Sequence, residues 1–223
     1  MKIFSMKEIA EEYGKMLNYC IERFNTEPAY IKVFSNNIKN YNAIIKDNLV
    51  VNNDPISKQQ IKQDITKSLD FFFKSFKNDY CRENNSFITC PKNNFDLVIG
   101  GYDVEEKTSG SVDYKNGIAM ADKWTSNHYQ EKKDKAKYFI LVSLMMSTNG
   151  KIAKKGALLL KKENAPLFYE KLLKKKNITN SAYSTLRIFS SELEDAQIIF
   201  GEKTNKTLSD RYSIYGKIIL TDV

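Results

Sequence analysis

Histidine is almost absent from this chain: His128 is the only one. That scarcity excludes multi-histidine metal centres and leaves a Ser-His-Asp or Cys-His mechanism resting on a single side chain. Cysteine is nearly as sparse. Cys20, Cys81 and Cys90 are odd in number and include no CxxC pair, so neither a disulfide framework nor a zinc site is indicated, and buried thiols are expected. No apolar run reaches the roughly 18 to 20 residues that a membrane span needs. The N-terminus Met1-Lys2-Ile3-Phe4-Ser5 passes directly into a charged helical pattern rather than a signal peptide, so a cytoplasmic location is the expectation. Internal repeats, linkers and low-complexity segments are also missing.

What is present suits one globular domain over residues 1–223. With 42% hydrophobic and 12% aromatic residues, the chain can bury enough apolar surface to offset its ordering entropy. A formal net charge of +8 and a pI near 9.1 point to a polyanionic partner, with nucleic acid the first candidate. A Lys- and Asn-rich composition also follows from AT-rich coding, so charge alone does not decide.

Two helices carry clear start signals. Ser5 and Glu8 form a capping box, and Ile9, Tyr13, Met16, Cys20 and Phe24 then recur at helical spacing over residues 5 to 25. The signal returns at Ser57 and Gln60, followed by the stripe Ile61, Ile65, Leu69, Phe72, Phe76 and Tyr80; Phe71, Phe72 and Phe73 are read as core and flank. Residues 26 to 54 are Asn-rich and read as loops with one short helix or strand pair. Strand candidates lie at Ser86 to Cys90, Phe95 to Thr108, Tyr138 to Met146, Ala157 to Leu160, Leu186 to Phe189 and Tyr212 to Leu220. A helix is expected from Asn164 to about Lys176, and residues 109 to 137 read as polar loop, then helix. The sum is an α/β fold with a mixed central sheet.

The hairpin at Gly100-Gly101 carries the chemistry. A two-residue primed turn there pairs Ile99 with Tyr102, Val98 with Asp103, Leu97 with Val104 and Asp96 with Glu105. Leu97, Ile99, Tyr102 and Val104 then share one face, while Asp96, Asp103, Glu105 and Lys107 share the other. Two carboxylates about 5 Å apart at an effective dielectric near 20 repel by about 3 kcal/mol, which calls for a cation or a proton between them. Two acidic oxygens, a backbone carbonyl and waters suit Mg2+, and Lys107 on the same face would orient a nucleophilic water.

Asp96 and the Glu105-Glu106-Lys107 element resemble the PD-(D/E)xK nuclease superfamily, which includes most type II restriction endonucleases. The resemblance covers about residues 57 to 146. It implies a helix, a three-strand meander, a helix and a strand, with Asp96 and Glu105 as Mg2+ ligands and Lys107 as the third catalytic residue. The chain departs from the pattern at Phe95, where Pro is frequent, and at Glu106, where an apolar residue usually packs into the core. Either Asp64 or Asp70 would supply a further helix acid. In so Lys-rich a chain the ExK tripeptide alone is weak, and Glu131-Lys132-Lys133 repeats it without a strand or a partner acid.

Beyond the ExK element, Ser109, Ser111, Asn116, Lys123, Thr125, Ser126 and Asn127 are the hydroxyls, amides and cations suited to phosphates and base edges of double-stranded DNA. His128 is read as a DNA contact or a packed residue, and Trp124 as core or a base-stacking platform. The basic runs at residues 132–137 and 151–176 would neutralise phosphates, and residues 147–223 would contribute to DNA binding. The resemblance further implies a homodimer on a palindromic site and a companion DNA methyltransferase acting on that site. A repair or recombination nuclease of the same superfamily and a non-catalytic DNA-binding protein are the alternatives.

Overall fold

The computed structural model describes residues 3–36, 50–51, 54–55, 58–91, 96–114, 117–121, 136–161, 196–203, 213–214 and 218–223. Helix α1 (Met6–Thr26) opens on the expected capping box: Ser5 Oγ accepts from the Glu8 N–H at 3.2 Å, and Glu8 Oε2 accepts from the Ser5 N–H at 2.9 Å. Ile9, Tyr13, Met16, Cys20 and Phe24 are buried, as their spacing predicts. Helix α2 (28–36) follows after one residue and packs Phe34 against Phe24, which places helix where the sequence suggested mostly loop. Helix α3 (Lys58–Glu83) is the second long helix. Leu69, Phe73, Phe76 and Tyr80 are its buried stripe, whereas Phe72 is half-buried and Phe71 is 73% exposed. The core phase is therefore one residue later at Phe73 than the stripe through Phe72 implied.

A mixed sheet forms the centre. Its strands are β3 (Ile88–Thr89), β4 (Leu97–Ile99), β5 (Tyr102–Tyr114), β6 (Gly117–Ala121), β7 (Tyr138–Met146), β8 (Ile152–Lys161), β9 (Gln197–Phe200) and β13 (Thr221–Asp222). The spatial order is β13-β8-β7-β5-β4-β3, with β6 on β5 and β9 on β8. Among the described strands, only β5 and β7 run parallel; every other neighbouring pair is antiparallel. Two small pairings lie outside it: β1 (Val50–Val51) with β2 (Asp54–Pro55), and β12 (Ile218–Ile219) between β10 (Glu202–Lys203) and β11 (Ser213–Ile214). The strand expected over Tyr212 to Leu220 is thus two short pieces.

Strand β7 is buried along its whole length, which its apolar run requires of a strand covered on both faces. Ile140, Val142, Leu144 and Met146 join α1 and α3 in one core, together with Leu97, Ile99, Val104, Ala157 and Leu159. Phe139, Leu141, Leu158 and Leu160 alternate to the other face and are buried there.

The loop expected from residue 109 is instead strand. β5 continues to Tyr114 because it finds a partner on each side, β7 along residues 104–112 and β6 along 110–114. Gly110 and Asp113 disfavour strand, and the ladder overrides them. Ser109 and Ser111 are accordingly strand rather than loop positions, opposite Ser143 and Met145. The expected helix at Asn164 to Lys176 and strand at Leu186 to Phe189 lie outside the described residues. Among the described residues, no helix is long and apolar enough to cross a membrane.

Candidate active site

The Gly100-Gly101 turn has φ values of 59° and 84°, the left-handed pair that a type I′ hairpin requires. At Gly100 an added Cβ would lie 2.5 Å from the Phe4 ring, so space as well as dihedral angle demands glycine. The register is the expected one: Ile99 faces Tyr102, Val98 faces Asp103 and Leu97 faces Val104.

The ladder stops there. Asp96 sits at the bend before β4, exposed, and its Oδ2 accepts the Glu106 N–H at 2.9 Å. The carboxylate thus acts as the acceptor that a further ladder step would have provided, through a charge-assisted bond.

Glu105 and Glu106 point to opposite faces of β5. Glu105 is 2% exposed and lies beside Phe139 in the parallel ladder, on the face away from α1 and α3. Lys107 occupies the next position on that face, opposite Leu141; its side chain lies outside the described residues. Should the exposed Asp96 and the buried Glu105 share a cation, a hard one that keeps several waters would suit them. Among the described residues, no group of three or more His, Cys, Asp or Glu could hold a metal, so any such cation would rest on this pair, backbone carbonyls and water.

Glu106 turns toward the helices, at the position where an apolar residue was expected. Its Oε1 pairs with Lys77 Nζ from α3 and accepts from Thr108 Oγ1 at 2.9 Å. The departure from the family pattern is thus compensated by a lysine 29 residues earlier. Burial works to lower the Lys77 pKa, but the Glu106 carboxylate, with smaller help from Cys20 and Asp96, outweighs it and leaves the ammonium raised. Tyr13 is fully buried beside this pair, short of hydrogen-bond geometry; burial first, and the Glu106 charge second, hold its phenol well above the ordinary value.

A second buried acid lies on α1. Glu12, on the core face of α1, accepts from Ser86 Oγ at 2.6 Å, Tyr80 OH at 3.4 Å and Lys15 Nζ at 3.2 Å. Sequence reasoning missed both Glu12 and Lys77. The signal was present, since each interrupts an apolar stripe at a core spacing: Glu12 three after Ile9, and Lys77 four after Phe73 and three before Tyr80.

Ser109 and Ser111 are described only as backbone, and Asn116, Lys123, Thr125, Ser126 and Asn127, with Trp124 and His128, lie outside the described residues. Asp70 is exposed on α3; the side chain of Asp64 is not among those described. Of the cysteines, expected to be buried thiols, only Cys20 is; Cys81 and Cys90 are half-buried and face each other. No family model, no curated protein and no solved structure matches this chain.

Proposed function

We propose that this chain is a Mg2+-dependent endodeoxyribonuclease of the PD-(D/E)xK kind, and in its finer form a type II restriction endonuclease that hydrolyses double-stranded DNA. One observation carries the reading: the hairpin register, with Asp96 bonded to the Glu106 N–H and Glu105 buried on the face that Lys107 shares. The element order supports it. Helix α3, the antiparallel strands β3, β4 and β5, and β7 parallel to β5 share part of the order that the family resemblance implies; the helix expected before β7 lies outside the described residues. Lys77 supports it as well, because it accounts for the one charged residue that the pattern does not anticipate.

The roles follow from placement. Asp96 and Glu105 would hold Mg2+, which when bound neutralises phosphoryl charge and acidifies water. Lys107, two residues beyond Glu105, would orient the attacking water and stabilise the charge that develops on the phosphate. Thr108 and Lys77 keep Glu106 on the helix side, so that alternation keeps Glu105 and Lys107 together on the other. The net charge of +8 supports a basic DNA partner surface whose affinity falls steeply with salt. A palindromic site would recruit a second copy of the chain, and a restriction role would require a methyltransferase protecting the same site.

The test is incubation of supercoiled and linear DNA with Mg2+ for the wild type, Asp96→Ala and Lys107→Ala. Discrete fragments are expected from the wild type, and a loss of about 10²-fold or more from each variant, the usual scale for removing one preorganised charge stabiliser. Laddering or end resection would favour a repair nuclease instead. DNA binding without cleavage by the wild type would refute the enzyme.

A further inference from the structure

The thiols of Cys81, in the last turn of α3, and Cys90, immediately after β3, lie 3.4 Å apart. We propose that Cys81 and Cys90 form a reversible disulfide when the protein meets a low-molecular-weight disulfide, which makes this end of the sheet a thiol–disulfide exchange site. A sulfur–sulfur bond is about 2.0 Å long, so the two atoms need to close by about 1.4 Å, within the reach of side-chain rotation.

The fold holds the pair together. Between them, the Asn84 N–H donates to the Tyr80 carbonyl at 3.0 Å and the Ser86 N–H to the Asn84 carbonyl at 2.7 Å. Ser86 Oγ is then fastened to Glu12 at 2.6 Å and accepts the Ile88 N–H at 3.1 Å. A connection pinned at four points presents one thiol to the other at a high effective concentration, so the second exchange step is intramolecular and fast. Both sulfurs are half-buried, whereas Cys20 is fully buried under α1 and its thiol is pushed up to about 12. Burial, and then the Cys81 contact, push Cys90 up to about 12 as well.

The chemistry balances with the added disulfide as oxidant. Either thiol can make the first attack; when it is Cys81, that thiol loses its proton to solvent and attacks one sulfur of R–S–S–R, forming Cys81–S–S–R and expelling RS⁻, which takes up a proton. Cys90 then loses its proton and attacks the Cys81 sulfur, expelling the second RS⁻, which is protonated in turn. Two electrons pass from the two cysteine sulfurs to the two R–S groups. The product ties the end of α3 to the β3–β4 edge, one helical turn beyond Lys77. It does not depend on the cleavage chemistry proposed above.

The test uses the full chain incubated with glutathione disulfide, followed by intact mass and peptide mapping without reduction. The wild type is expected to lose the mass of two hydrogens, to yield a Cys81–Cys90 cross-linked peptide and to recover both thiols in dithiothreitol. Cys20→Ser should behave in the same way, and Cys20 of the oxidised wild type should react with maleimide only after unfolding. Cys81→Ser and Cys90→Ser should lose the cross-link, and the wild-type map reads the bond directly even if either variant folds poorly. Absence of reaction, persistent glutathione adducts without the cross-link, or a bond through Cys20 would each overturn the proposal.

Discussion

Replacing Lys77 by methionine would leave Glu106 inside the protein without its cation. Lys77 and Glu106 are both largely buried, with 13% and 5% of their side chains exposed. Breaking such a pair from one side costs about 3 to 5 kcal/mol, because the remaining charge must either stay desolvated or be neutralised. Neutralisation sets an independent bound. Keeping an ordinary glutamate, with a pKa of about 4.3, protonated costs about 3.7 kcal/mol at pH 7 and about 1 kcal/mol at pH 5. Lys77→Met should therefore lose about 3 to 4 kcal/mol at pH 7, and the deficit relative to wild type should shrink by about 2 to 3 kcal/mol on going to pH 5. Urea denaturation at both pH values reads this. With a slope of about 2 to 3 kcal/mol/M, the midpoint should fall by about 1 to 2 M at pH 7 and much less at pH 5. The double variant Lys77→Met/Glu106→Leu, which removes both charges and fills the volume, should regain most of the loss at both pH values. A single-variant cost below about 1 kcal/mol, or a deficit equal at pH 5 and pH 7, would refute a buried and mutually dependent pair.

Two further substitutions separate structure from chemistry. Asp96→Asn keeps an oxygen acceptor for the Glu106 N–H but removes the charge, so its melting temperature should change little while Mg2+-dependent cleavage falls by about 10²-fold or more. Equal losses in folding and cleavage would instead make Asp96 purely structural. Gly100→Ala places a Cβ at φ +59° and 2.5 Å from the Phe4 ring, and should destabilise by about 1 to 3 kcal/mol in thermal or urea unfolding. An unchanged midpoint would show that the turn tolerates another conformation.

Much of the hairpin was legible because glycine pairs and strand alternation are local rules. Gly100-Gly101 specified a left-handed turn, the turn specified the register, and the register sent Leu97, Ile99 and Val104 into the core. The capping box at Ser5 and Glu8 and the buried run at Tyr138 to Met146 were local signals of the same kind. Failures came where a neighbour distant in sequence decided the outcome. Ser109 and Ser111 read as loop in a polar stretch beside Gly110, and pairing with β7, joined at Ser111 by β6, makes them strand.

Glu106 marks the boundary between the two kinds of information. Alternation alone requires it to face away from Glu105, which the chain states by itself. Whether a charge there is tolerable depends on what α3 brings to that face, and no local pattern singles out Lys77, 29 residues earlier, as its partner. Likewise, the turn predicts that Asp96 adjoins Glu105, but only the assembled sheet gives its carboxylate the Glu106 N–H. Dihedral preference and side-chain alternation are properties of a few consecutive residues. Desolvation and its compensation belong to the packed assembly, because burial removes water from both partners at once.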